Sequence, residues 1–266
     1  NLSANGNVSY LENEVTFLGQ GKEFISSGAS FQSMGNVTRT QVGEAMNSFY
    51  GFRTAGIFQT PEDVQNYTSA DGSVIQPEAV PGDFRWVDTN GDGTITDDDK
   101  QFLGSPIPKF TFGLNLNMNY KNWDFMVFAQ GAAGHQIFQG LRRLDILNSN
   151  YTVEALSRWT GEGTSNDYPR LTNADSNGNF GRMSEFYLED GDYVRLKLVQ
   201  LGYTLPSDLV NKIGGQNLRL FVTGENLLTF TDYTGYDPEI GGDVLGIDRG
   251  YYPQARSFLF GVNLQF

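Results

Sequence analysis

Phe110-Thr111-Phe112-Gly113-Leu114-Asn115-Leu116-Asn117-Met118-Asn119-Tyr120 is the stretch whose reading decides the fold. Phe110, Phe112, Leu114, Leu116, Met118 and Tyr120 fall at every second position, interleaved with Thr111, Gly113, Asn115, Asn117 and Asn119. Successive side chains of an extended strand point to opposite faces, so one face here is wholly apolar and the other wholly small or polar. The run of 11 residues matches a tilted membrane-crossing strand, for which about 9–11 are needed. Strands of soluble proteins are nearer ~5–6 residues. Asparagine amides need water or polar partners, so the polar face suits a water-filled lumen better than a protein core.

The same alternation recurs along the chain. Leu2, Ala4, Gly6, Val8 and Tyr10 form one row near the start. Trp123, Phe125, Val127 and Ala129 form another after the short link Lys121-Asn122. Val194, Leu196 and Leu198, then Leu218, Leu220 and Val222, then Phe258, Phe260, Val262, Leu264 and Phe266 continue the series. Residues 49–58 read as a less regular strand, which gives about seven spanning strands and leaves 15–46 unassigned. Links 121–122 and 206–217 are short or moderate, while 59–109, 131–192 and 226–256 are long. Antiparallel strands alternate ends, so the short links belong to one side, expected to be periplasmic, and the long ones to the other, expected to be extracellular.

Composition narrows the function. The chain has 266 residues and a formal net charge of −13, with 32 Gly, 20 Phe and 13 Tyr. Aromatics favour strands and glycine serves turns. The acidic balance argues against nucleic acid as a partner, which needs a basic footprint. With no cysteine and one histidine, His135, thiolate chemistry and a multi-histidine zinc site are excluded. His135 reads as a structural or solvent-facing side chain, and no acidic pair forms a distinctive catalytic constellation, so no enzyme is expected. No apolar run approaches a membrane helix, but barrel strands alternate and their average hydropathy cancels. Asn1 to Tyr10 lack the basic start and apolar block of a signal peptide.

The sharpest local motif runs from Asp88 through Thr89, Asn90, Gly91, Asp92, Gly93, Thr94 and Ile95 to Asp99. It matches a calcium-loop pattern, with side-chain oxygens from Asp88, Asn90 and Asp92, the carbonyl of Thr94 and a carboxylate from Asp99. Gly93 permits the sharp turn. Asp99 stands where such loops carry Glu, and its shorter arm reaches less far. Calcium at these residues, as a structural clip, is therefore an expectation, set against an Asn/Asp/Gly-rich turn that binds nothing.

With that loop and Gly104, Pro106, Pro108, Lys109, Phe110 and Gly113 beyond it, the chain resembles the SusC/RagA family of TonB-dependent outer-membrane transporters. Thr38-Arg39-Thr40, Ser48-Phe49-Tyr50-Gly51-Phe52, Arg158-Trp159-Thr160 and Tyr168-Pro169-Arg170 carry the same resemblance. So do Glu189-Asp190-Gly191, Tyr193-Val194-Arg195-Leu196-Lys197, Asp237-Pro238-Glu239 and Tyr252-Pro253-Gln254-Ala255-Arg256. The resemblance implies an all-β, transmembrane antiparallel β-barrel of 22 strands with a plug in its lumen, of which this chain is the C-terminal part. It implies the outer membrane of a Gram-negative bacterium, import of glycan or peptide fragments, a SusD-like surface lipoprotein as lid, and the TonB complex as energy source, reached through an N-terminal part outside this chain. Phe266, ending an alternating strand, resembles a barrel-assembly signal. The alternative architecture is a secreted, calcium-stabilised β-sandwich that binds carbohydrate; a glycosidase domain is a third.

Parity then assigns faces. Val194, Leu196, Leu198, Leu220 and Val222 are expected toward lipid, and Arg195, Lys197, Arg219 and Glu225 toward the lumen. If the strands around link 206–217 pair in symmetric register, Arg195 meets Glu225 in a cross-strand ion pair.

Overall fold

The computed structural model describes residues 1–26, 30–142, 150–240 and 245–266. Its largest element is one six-stranded antiparallel sheet. In chain order the strands are β1 (Leu2–Tyr10), β2 (Phe110–Tyr120), β3 (Trp123–Ala133), β4 (Tyr193–Thr204), β5 (Asn217–Thr231) and β6 (Ser257–Gln265). Each pairs with the next, so sequence order is spatial order, and β1 and β6 are the edges. A sandwich would bury the apolar face of this sheet against a second one, whereas here that face stays exposed at Leu2, Val8 and Phe260.

Register turns the alternating rows into continuous bands. Tyr10, Val8, Gly6, Ala4 and Leu2 stand opposite Phe110, Phe112, Leu114, Leu116 and Met118. Leu114, Leu116 and Met118 stand in turn opposite Ala129, Val127 and Phe125. Leu220 and Val222 oppose Val262 and Phe260. This apolar face is open: Leu2 is 74% exposed, Val8 72% and Phe260 86%. Monomeric soluble proteins do not leave so extended an apolar surface bare. Aromatic rings mark both of its ends. Tyr120, Trp123 and Tyr203 lie in one row at the short-link end, with the Trp123 and Tyr203 rings 4.6 Å apart. Tyr10 and Phe110 (5.1 Å apart), Phe230 and Phe258 sit at the other end. Ten steps along β2 separate Phe110 from Tyr120, about 33 Å of strand, or roughly 25 Å of height at the usual tilt. That is the height of the apolar band of an outer-membrane barrel.

The opposite face carries Asn115, Asn117, Gln130, Gln200, Thr223 and Asn263. It also carries Met126, Phe128 and Leu198. Leu198 corrects the sequence expectation. Lys197 interrupts the register: Leu196 faces Ala129, but Leu198 faces Phe128, one residue on. The bulge places an extra residue in β4, so beyond it the outward positions become Val199, Leu201 and Tyr203, while Leu198 turns to the polar face. Against β4, β5 inserts a further residue, since Leu196 and Leu198 oppose Leu228 and Glu225. The two insertions add to two residues, so β5 regains its parity: Leu220 and Val222 before the irregularity at Asn226 and Leu227, and Leu228 and Phe230 after it, share the apolar face.

The other correction concerns the segments between wall strands. Residues 49–58 do not form a wall strand, so the wall has six strands among the described residues and not seven. They form two short strands, Ser48–Gly51 and Thr54–Ile57, within a folded cap built from the described residues of 11–109, 134–192 and 232–256. The hydrophobic core of the molecule lies in this cap. Phe31, Val37, Phe49, Phe138, Met183, Tyr187 and Ile247 form one buried cluster drawn from all three segments. Phe52, Ile57, Phe84 and Trp86 form a second. Buried amides lock it: the Gln76 amide donates to the Phe84 carbonyl and to Asn177, and Asn179 donates to Asp83. Asp83, fully buried, also accepts from Arg170 at 2.6 Å. The unassigned stretch 15–46 contributes Phe24–Ile25 and Thr38–Gln41, which pair with each other.

Leu116, at mid-strand on the apolar face, gives a direct check. Leu116→Arg should cost about 2–4 kcal/mol in refolding equilibria of the full-length protein in lipid, whereas Asn115→Arg, one residue away on the polar face, should cost far less.

Candidate functional site

The polar face of the wall, where the cap folds over it, gathers most of the charged residues expected there. Arg195 is 3% exposed, on β4 just before the bulge. Its guanidinium donates through Nη1 to Glu239 (2.7 Å), through Nη2 to Asp237 (2.5 Å) and through Nε to Thr229 Oγ1 (2.9 Å). Lys197 Nζ reaches the same Glu239 at 2.9 Å, and Gln130 donates to it at 3.1 Å. The two acids belong to the Asp237-Pro238-Glu239 turn of the last long link. The wall therefore grips this link through a network of two cations and two carboxylates with all its principal donors satisfied, the geometry in which a buried charge is tolerated.

Asp237 shows the electrostatic consequence. Burial pushes its carboxyl up, but the Arg195 bond and the backbone N–H groups of Gln254 and Glu239 outweigh that and hold it below its ordinary value. Nearer the short-link end, Arg219 donates to both oxygens of Asp124 and to Gln200. Gln200 donates in turn to Thr223 at 2.8 Å, a polar ladder across β3, β4 and β5.

Arg195, Lys197, Arg219 and Glu225 thus share the polar face of the sheet. The expected Arg195–Glu225 pair does not form. Arg195 stands opposite Thr229, while Glu225 stands opposite Leu198 and Ser257. The bulge displaces the register, and two acids from the cap occupy the guanidinium. Sequence reasoning misses Asp237 and Glu239, although the Asp-Pro-Glu turn is visible, because nothing in a linear pattern brings a distant link back onto a strand.

The acidic loop is closed by its own hydrogen bonds. Asp88 accepts from the N–H groups of Gly91 (2.7 Å) and Gly93 (2.9 Å). Asp92 accepts from Thr94 N–H at 2.9 Å and from the Asn90 amide at 2.9 Å. Asp99, fully buried, accepts from Thr89 and Thr96 N–H, both at 2.8 Å. Gly93 has φ of 85°, in the left-handed region its place in the motif requires. Among the described residues no three acids, cysteines or histidines group as a metal site. Phe266 lies just past the end of β6 and is 75% exposed. His135, between β3 and the cap strand Gln136–Gln139, has a buried side chain and not a solvent-facing one.

No family model matches the chain. It is 34% identical to TonB-dependent receptor P3 of Formosa agariphila, over 98% of this chain and 26% of that protein. It is 27% identical to TonB-dependent receptor SusC of Bacteroides thetaiotaomicron, over 98% of this chain and 24% of that protein. The fold superimposes on a structure of the RagAB peptide transporter with TM-score 0.73 at 23% identity, covering 100% of this chain and 27% of that one. An open-open state of the RagAB peptide importer gives TM-score 0.73 at 22% identity, with 100% and 26% covered. The chain spans about a quarter of the length of the curated relatives it matches.

The Arg195 network makes a testable point about stability. Arg195→Ala leaves Asp237 buried beside no cation and should lower stability by about 3–5 kcal/mol. A depressed carboxylate contributes stability that is complete above its unfolded pKa and is lost as pH falls through the folded one. Denaturant unfolding of the full-length protein in detergent should therefore show an acid-sensitive component below about pH 4 in the parent that is diminished in Arg195→Ala.

Sequence similarity to TonB-dependent receptors, SusC among them, and a fold shared with RagAB run through the whole of this chain, which is therefore a segment of a SusC-type TonB-dependent receptor.

Proposed function

We propose that the chain is the C-terminal part of the wall, with its extracellular cap, of a TonB-dependent importer of glycan or peptide fragments. The observation that carries this reading is the contrast between the two faces of one sheet. A bare apolar band with aromatic rims meets lipid, and a hydrogen-bonded polar face meets an aqueous lumen. The cap, folded from three segments and clamped to the lumenal face through Arg195, narrows the mouth on the side where substrate arrives. A SusD-like surface lipoprotein as lid and the TonB complex as energy source complete the proposal; RagAB, whose fold the chain shares, is described as a peptide importer. Import is a property of the whole protein. Deleting the full-length gene in its host should abolish uptake of one class of fluorescently labelled oligomer, oligosaccharide or oligopeptide, and restoring it should recover that uptake. Undiminished uptake of both classes would contradict the reading.

Calcium at residues 88–99 stands as a separate proposal, supported by the order of oxygen-bearing residues and not by their geometry. The N–H bonds to Asp88, Asp92 and Asp99 leave each carboxylate lone pairs to spare, so the loop's own closure and the ion do not exclude each other. If calcium binds, melting of the full-length protein should shift upward relative to excess chelator, and Asp88→Ala should abolish the shift. Coincident melting curves would leave the hydrogen-bonded closure as the loop's whole structure.

A further inference from the structure

At the short-link end of the wall, three aromatic side chains on the apolar face keep their polar tips free. Tyr120 closes β2, Trp123 opens β3 and Tyr203 lies next to the end of β4. They stand side by side, Tyr120 opposite Trp123 and Trp123 opposite Tyr203. Among the described residues, neither the Trp123 indole N–H nor the Tyr120 and Tyr203 hydroxyls donate to any group of the chain.

Lys121 joins this row from the turn between β2 and β3. Its backbone lies in the left-handed region, with φ of 53°, where glycine or asparagine sits with less strain. Its ammonium folds back over the lipid-side ring of Tyr120, 5.4 Å from the centroid, and meets no carboxylate among the described residues.

Where the two short links meet lies a cavity of about 510 Å³. Lys121, Asn122, Trp123, Thr204 and Ser207 line it, and none of their side-chain polar groups has a hydrogen-bond partner among the described residues. These groups are within reach of a ligand: Lys121 and Ser207 are exposed, and Trp123 is 49% exposed. The carboxylate in the lining, Asp124, has both oxygens held by Arg219. The cavity therefore presents one uncompensated cation, with amide and hydroxyl groups around it and no free acid.

These features define the ligand. An anion is drawn to Lys121, and phosphate oxygens accept readily from an ammonium and an indole N–H. A second cationic group on the same ligand would find no counter-charge in the lining. Beside the cavity starts the apolar band, whose next row is Met118, Phe125 and Leu201, a surface for hydrocarbon. Basic pockets at the membrane interface bind lipid headgroups by this combination.

We propose that Lys121, Asn122, Trp123 and Ser207 form a binding site for an anionic glycerophospholipid whose headgroup ends in hydroxyls, in the leaflet at the short-link side. Lys121 Nζ and Trp123 Nε1 donate to the phosphodiester, the Asn122 amide and Ser207 hydroxyl meet the headgroup hydroxyls, and the acyl chains run along Met118, Phe125 and Leu201. The site goes beyond the import reading and is measured without uptake.

The test is native mass spectrometry of the full-length receptor in detergent micelles, offered phosphatidylglycerol or phosphatidylcholine of the same acyl chains. Phosphatidylglycerol should be retained about tenfold more strongly, and Lys121→Gln should lose that preference. Trp123→Phe, which keeps a ring and removes the donor, should weaken retention about threefold. Lys212→Gln, an exposed lysine of the second short link outside the cavity lining, should leave the preference unchanged. Heat-dependent gel mobility reports that each variant barrel is folded. Equal retention of the two lipids, an unchanged preference in Lys121→Gln, or an equal loss in Lys212→Gln would overturn the proposal. So would full displacement of the lipid by soluble glycerol phosphate, which would mark a phosphate pocket that needs no membrane. None of these results bears on import.

Discussion

Inside a bilayer no water is present to satisfy a backbone N–H or C=O, and each unpaired group costs several kcal/mol. That requirement governs the whole wall. It forces neighbour-to-neighbour antiparallel pairing across all six strands, with sequence order kept as spatial order. It leaves β1 and β6 with open edges that a bilayer does not tolerate, so each needs a further strand beside it. It also explains why the wall contributes almost nothing to the buried hydrophobic core. Its apolar side chains have lipid to face, and their burial is completed by the membrane. The cap has no such partner and must build its own core, which it does from Phe31, Phe49, Trp86, Phe138, Tyr187 and Ile247.

The two halves of the molecule therefore obey different rules and need a joint. Arg195 supplies one. Its side chain leaves a membrane strand, and Asp237 and Glu239 return from the cap to meet it. The adjacent bulge at Lys197 sends a second cation to Glu239 as well. A bulge is a local loss in the ladder, but here it sets Lys197 and Leu198 on the lumenal side in succession, which strict alternation forbids. The Arg219–Asp124 pair does for the short-link half of the wall what Arg195 does for the cap side, tying non-adjacent strands across a glycine, Gly202, whose missing side chain gives the pair its space.

Much of this is legible in the sequence, for a physical reason. A lipid-facing surface tolerates no polar interruption, so β1, β2 and β6 announce both their existence and their faces. β3 is less plain, because Met126 and Phe128 put apolar side chains on the lumenal face as well. Alternation alone misassigns Leu198, because a bulge leaves no mark on composition. It is visible only as a register shift against neighbours. Residues 49–58 read correctly as extended but belong elsewhere: alternating aromatics serve a buried cap strand as well as a wall strand. The partner of Arg195 is out of reach, since a link of more than twenty residues can return anywhere along the strand it leaves. The order of residues in the acidic loop does not decide its use, because Asp, Asn and Gly in that order close Asx-type turns as readily as they enclose a cation.

The central claim is that one sheet separates lipid from lumen, with its parity reset at Lys197. Single spin labels placed in turn at positions 194 to 203 of the full-length protein in liposomes would test it, by relaxation with oxygen, which partitions into lipid, against a water-soluble nickel chelate. The account predicts oxygen-dominated relaxation at 194, 196, 199, 201 and 203, and chelate-dominated relaxation at 195, 198, 200 and 202. Unbroken even-odd alternation through 198 would contradict the bulge, and the absence of any lipid-exposed series would contradict the membrane wall itself.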